Sequence, residues 1–441
     1  MMWLLTVLAY GVPQTGAVCE GPLDLALDAP RPQLSGDVRT WDSRDGAYRV
    51  HWTDSGADAA PLDAQGVPIL RPMIERAWAD TLALVGADGW RPLIGDDGTG
   101  GSDALDLYVV DIDANGYANA LSPPDGETGA SCFVRLDPNI SALGADIAES
   151  VVRHELVHCL QFRYATEADS WLYEASATFE QFRPSGTVSG LRFPLAFLWT
   201  QRLGSPDLPL FETGDRFEYA GFVWFKFVEE AYGVKPAQVW QALEADPRWQ
   251  TGVQAALGEV SIGDAFALHS AYNVHSCERA SELGYRMDDN AHCTATGASA
   301  PLRELDDPFV EVEALVPWTS VSSVVQPVAL DSADAPEGGV GEALVECSVS
   351  RGRVSVVVTD RTPTVRMEPW SVRAEEPAWI PVDLPSGSAV VVVASTGDEP
   401  ADAFCRVTWA PVERGCGCAS PSLPGPIWAV LLGMLMIRRR R

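Results

Sequence analysis

The chain reads as an α+β region followed by an all-β domain. Three observations predict this. Between about 70 and 275, apolar residues recur at helical spacing in one segment after another, with a few short strand-like runs among them. Beyond about 305, β-branched runs separated by Pro, Gly and Asp take over, at the spacing of roughly 8–12 residues expected of a β-sandwich. The length of 441 residues suits two or three such units.

Taken in order, residues 1–10 are an apolar run, broken at Gly11 and Pro13 and followed by Thr15, Gly16 and Ala17. That is the order of a secretory signal cleaved near Ala17, and 1–19 is assigned to it. Tyr48–Trp52 is an extended piece within a turn-rich stretch. Pro72 in a first turn, with Ile74, Ala77, Trp78 and Val85 sharing one face, predicts a helix over 72–85. Strands are expected over 105–112 and at Ser131–Leu136. Helices are expected over 145–163, Ser170–Phe182, 193–201, 219–232, Pro236–Leu243 and 261–272. The second unit should hold strands over 310–316, 319–325, 343–349, 354–358, 388–395 and 403–409.

At the far end, Cys416 and Cys418 precede Pro421, Pro424 and Pro426, then an apolar stretch over 427–437 and four closing arginines. This order resembles the myxobacterial C-terminal sorting signal called MYXO-CTERM. The resemblance implies that a dedicated sorting protease processes 412–441, that the short transmembrane segment there is the chain's one membrane contact, and that the protein reaches the cell surface or is secreted. An exported chain makes disulfides legitimate, and nine cysteines suggest the couples Cys132 with Cys159, Cys277 with Cys293, and Cys347 with Cys405. The formal charge of −30 excludes a nucleic-acid partner, which would need a basic face.

The chemistry is concentrated at His154-Glu155-Leu156-Val157-His158. Histidines four apart lie on one face of a helix, so both imidazoles reach one Zn²⁺. Glu155, one step around, is placed to take a proton from water held there. A catalytic zinc needs a third protein ligand. Trp171-Leu172-Tyr173-Glu174-Ala175-Ser176-Ala177 opens the next helix and offers Glu174, flanked by small residues that permit close approach. Glu180, later on that helix, is the rival.

His154, Glu155, His158 and Glu174 together resemble the gluzincins, zinc metalloproteases with a glutamate ligand on a helix after H-E-x-x-H. The nearest likeness is the W-L-x-E-(G/A)-x-A segment of their aminopeptidase-like branch, matched by Trp171, Leu172, Glu174, Ala175 and Ala177. With Gln161 and the sorting tail, the chain looks like the metalloproteases that carry MYXO-CTERM signals. The resemblance implies a zincin-like metalloprotease region over 20–304, ahead of a β-sandwich domain over 305–411. The fifteen residues between His158 and Glu174 are a few fewer than the better-known members have.

Tyr219 heads an aromatic helix where related enzymes carry an oxyanion donor; His269, His275 and His292 are weaker candidates for that role. Asp111, Asp113 and Asn115 begin like a calcium loop, but Ser122 stands where a bidentate Glu belongs, leaving only a non-EF-hand Ca²⁺ site to consider. The expectation is therefore an exported zinc-dependent peptidase, endopeptidase by the lack of an amino-terminus-binding motif, acting on protein or peptide substrates. The alternative class is a catalytically silent surface binding or adhesion protein that retains the zincin-like domain. Ser131–Leu136 is the strand expected at the sheet edge, where an extended peptide would align.

Overall fold

The computed structural model describes residues 27–96, 98–123, 129–183, 198, 201–214 and 216–274, and beyond 302 the strands named below with a few neighbours. The expected export signal, the sorting tail, the Cys277–Cys293 couple, His275 and His292 lie outside the described residues, as does nearly all of the helix expected over 193–201. Among the described residues, no helix is long and apolar enough to cross a membrane.

A five-stranded mixed sheet organises the first region. Its strands are β1 (Arg39–Asp42), β2 (Tyr48–Trp52), β3 (Leu105–Val109), β4 (Gly116–Leu121) and β5 (Ser131–Leu136), in the order β1-β2-β3-β5-β4. Strands β2, β3 and β5 run parallel, while β1 and β4 are antiparallel to their neighbours. Leu105, Leu107 and Val109 of β3, with Val134 and Leu136 of β5, join the main core. The alternate residues Tyr108 and Phe133 form a second cluster with Val110, as the period-2 alternation of strands requires.

This topology corrects one expectation. Ser131–Leu136 is interior, paired with β3 on one side and β4 on the other, so neither side is open to a peptide. The edge on that side of the sheet is β4, a strand that the sequence does not predict. Apart from Tyr117, its residues Gly116, Ala118, Asn119 and Ala120 carry little β propensity, and pairing with β5 supplies what the local sequence does not.

The helices described are α1 (Arg71–Asp88), α2 (Ala145–Phe162) and α3 (Ser170–Phe182), then α4 (Phe217–Ala220), α5 (Phe222–Tyr232), α6 (Pro236–Leu243), α7 (Trp249–Leu257) and α8 (Ile262–Val274), of which α2 packs directly on β4 and β5. Helix α1 starts with Pro72 in its first turn and stops at Gly89, whose φ of 78° provides the left-handed cap. Helix α2 is buried all round from Ser150 to Phe162, packed by α1, α3, β4 and β5. A helix buried on every side is central, and any charged group on it needs a partner. The Cys132–Cys159 disulfide joins β5 to α2 across a Cα separation of 5.6 Å.

The helix expected over 219–232 is two helices, α4 and α5, broken at Gly221. A Cβ on Gly221 would stand 2.9 Å from the Ala175 Cβ, so the break is where the chain passes tightly over α3. Helix α7 was not anticipated from sequence.

Beyond 302 the strands build two further sheets. One holds β6 (Arg303–Leu305), β8 (Ser320–Val325), β10 (Gly352–Thr359), β11 (Met367–Glu368) and β13 (Ala389–Thr396), in the order β11-β10-β13-β8-β6. The other holds β7 (Phe309–Leu315), β9 (Gly341–Val349), β12 (Ala378–Leu384) and β14 (Ala401–Pro411), in the order β12-β9-β14-β7. Cys405 is buried and disulfide-bonded, and its register partner across the β14–β9 pair is Cys347. Trp318 joins the helical core, edge-on to Trp249 and Phe266, and its carbonyl accepts from the Leu210 N–H.

Candidate metal centre

Helix α2 presents His154 and His158 one turn apart, with ring centroids 4.6 Å from each other. Helix α3 packs against α2 and brings Glu174 to both. Glu174 Oε2 lies 3.0 Å from His154 Nε2 and 3.6 Å from His158 Nε2. One ligand atom from each of the three residues falls within 4.8 Å of the others, and all three residues are buried. Atoms bound at 2.0–2.1 Å to one tetrahedral centre stand roughly 3.3 Å apart, which the two Glu174 distances bracket. The group could hold a metal ion. Among the described residues it is the single cluster of three His, Cys, Asp or Glu with that geometry.

The outer nitrogens of the two rings are held as well. His158 Nδ1 lies 2.7 Å from Gln161 Oε1, and His154 Nδ1 lies 3.0 Å from Gln181 Oε1. Neither glutamine can turn over without loss. Gln161 Nε2 donates to the Tyr173 carbonyl and to Ser176 Oγ, each at 2.9 Å, and Gln181 Nε2 donates to Ser150 Oγ at 3.1 Å. With both amide oxygens turned to the rings, each Nδ1 is the donor and each Nε2 faces the shared centre. Ser176 also accepts from Trp240 Nε1 at 3.0 Å, which ties α6 into the same support.

Electrostatics follow from these contacts. Burial pushes the Glu174 carboxyl up, but the charge of His158 and the hydrogen bonds from both histidines outweigh it, bringing the pKa down to about 2. Burial disfavours charge on His158, yet the Glu174 carboxylate more than compensates and raises its pKa. Three buried residues thus hold one another.

Glu155 is 2 % exposed and sits against β4. A Cβ on Gly116 would come within 2.8 Å of Glu155 Cγ and 2.9 Å of its Oε1, so the missing side chain makes the space that Glu155 fills. Tyr219, on α4, is buried with its ring centroid 5.8 Å from that of His154. All five residues singled out by sequence, His154, Glu155, His158, Glu174 and Tyr219, therefore fall in one neighbourhood.

The other candidates lie elsewhere. Glu180 accepts from Trp90 Nε1 at 3.3 Å and pairs with Arg183 at 3.0 Å, away from the histidines. His269 is buried among Trp224, Phe227 and Phe266. Asp113 accepts from the Tyr117 hydroxyl at 3.0 Å and belongs to no metal-holding group among the described residues. Sequence reasoning missed Gln181, although a residue seven positions after Glu174 shares its helical face. No protein-family model matches the chain, and no curated protein matches it.

Proposed function

We propose that the chain is a zinc-dependent peptidase, exported and directed to the cell surface by its tail. The single observation that carries the reading is a buried carboxylate, Glu155, on the same helix as two of three convergent ligand groups, two imidazoles and one carboxylate. Two imidazoles and a carboxylate are the donor set of hydrolytic zinc sites, and a purely structural site has no use for an adjacent base. When bound, zinc supplies a Lewis acid that polarises a carbonyl and lowers the pKa of water toward neutrality.

His154, His158 and Glu174 hold the ion, and Gln161 and Gln181 fix the imidazoles in the tautomer that binds it. Glu155 takes the proton from the attacking water and returns it to the leaving amine. Tyr219 donates to the oxyanion that develops on the substrate. On this reading the two sheets beyond 302 form a β-sandwich appended to the catalytic region.

The test is bound metal and cleavage of a mixed peptide library by the purified mature chain, compared with Glu155→Gln. Stoichiometric zinc in both, with cleavage lost in the variant alone, is the expected result. Equal cleavage by the two, or no zinc in either, overturns the reading.

A further inference from the structure

The two imidazoles are oriented by glutamines placed in different ways. Gln161, at His158 Nδ1, stands three residues further along the same helix, so α2 itself puts it there. Gln181, at His154 Nδ1, belongs to α3 and lies 27 positions away in the chain. Only contacts between helices can place it.

Arg153 makes the contact to its main chain. The residue precedes His154 on α2, and its side chain is 3 % exposed. Its Nη1 donates to the Gln181 carbonyl at 2.7 Å. Gln181 lies in the last turn of α3, where carbonyls call for a donor from outside the helix and a cation meets the negative end of the dipole. Through Nη2, Arg153 donates to Glu149 at 3.1 Å and pairs with Asp80 of α1. Those two carboxylates balance its charge. The bond to a neutral carbonyl adds a fixed point on α3.

The Gln181 side chain is held from the same turn of α2. Its Nε2 donates to Ser150 Oγ at 3.1 Å, and the Ser150 hydroxyl donates to the Ile147 carbonyl at 2.8 Å. Ser150, Arg153 and His154 thus meet Gln181 at its amide nitrogen, its carbonyl and its amide oxygen. Without the hold on the carbonyl, the amide can swing off the His154 ring while α2 and α3 stay helical.

Resting on the metal-site reading above, we infer that Arg153 is a positioning residue: by gripping the Gln181 main chain it fixes the amide that orients the His154 ring. It acts on one of the two imidazoles and leaves the other to its own helix.

That asymmetry supplies the test. Ring-nitrogen NMR spectra of the purified chain, with each histidine assigned by replacing it in turn, should show the His154 signals moved in Arg153→Met and the His158 signals in place. Zinc affinity, from competition with an indicator chelator, should fall about 3–10-fold, less than for a direct partner of a ligand ring. The loss should vanish when Gln181 is already Leu, because residues acting through one another are not additive. Arg153→Lys keeps a charge for Asp80 and Glu149 but not the fork that also reaches the carbonyl, and should move the same signals if the methionine variant does not fold. Asp80→Asn cuts the tie to α1 alone; it should lower the melting temperature and leave the His154 signals and zinc affinity unchanged.

Both rings shifting together, an equal loss in Asp80→Asn, or multiplying losses in the Arg153 and Gln181 variants would reduce Arg153 to a structural brace and leave the peptidase reading standing. A wild-type chain that binds no zinc overturns both.

Discussion

Gly116 and Glu155 are complementary: the strand residue has no side chain where the helix residue has its carboxylate, and a Cβ would stand 2.9 Å from Oε1. Gly116 has no positive φ, so alanine there strains no backbone and acts through contact alone. Gly116→Ala should displace the carboxylate and lower kcat by about 10–100-fold, the range for a mispositioned acid–base group, with bound metal unchanged. Loss of metal in the variant would show that Gly116 supports the ligands rather than the base.

The ligand set predicts its own deletion series. His154→Ala, His158→Ala and Glu174→Ala should each abolish metal binding measured by elemental analysis. A chelator should lower the wild-type melting temperature, because an ion that binds only the folded chain stabilises it by mass action. A chelator that leaves the melting temperature unmoved, in a protein shown to be loaded, would contradict the site.

Gln161 and Gln181 should matter without touching the metal. Replacing either by Leu removes the acceptor for a ring N–H, and about a 10–100-fold loss of metal affinity is expected from competition with an indicator chelator. Gln161→Glu keeps an acceptor at the His158 ring but exchanges an amide that donates to Tyr173 and Ser176 for a carboxylate that does not. It should recover part of the affinity lost in Gln161→Leu.

Glu180 gives a pH dependence remote from the metal. Burial pushes its carboxyl up to about 7, and Arg183 offsets this only in part, since Asp88 and Glu229 share the same guanidinium. The folded-state pKa exceeds the unfolded one, so the folded chain holds the extra proton between about pH 4.5 and 7. Stability from this group is complete below that window and is lost as pH rises through it, by at most about 1.4 kcal/mol per pH unit. Urea midpoints at pH 5 and 7.5 measure the change, and Glu180→Gln should flatten it.

Reduction of Cys132–Cys159 should be costly. The bond closes a loop with a sequence separation of 27, for which chain entropy gives about 3–4 kcal/mol. Urea unfolding with and without reductant reads the difference directly.

The sequence made the His154, His158 and Glu174 cluster legible because its parts are local. Two histidines four apart and a glutamate framed by Ala175 and Ala177 follow helical periodicity, and the structure keeps them on α2 and α3. What it concealed is non-local. Strand β4 exists because β5 pairs with it, not because Gly, Ala and Asn favour strands. The break at Gly221 follows from how closely the chain crosses Ala175, which periodicity alone cannot register. The hydrogen bond from the Ser122 hydroxyl to the Asp28 carboxylate joins residues 94 positions apart.

The same Cys132–Cys159 bond also acts as a clock. Cys159 directly follows His158, so the covalent tie ends one residue from the group that could hold a metal. While the two thiols are reduced, α2 is held to β5 by packing alone. The ligand helix acquires its tether only after the chain meets an oxidant. Until the chain meets an oxidant, the three clustered residues stand without the brace that fixes the helix carrying two of them.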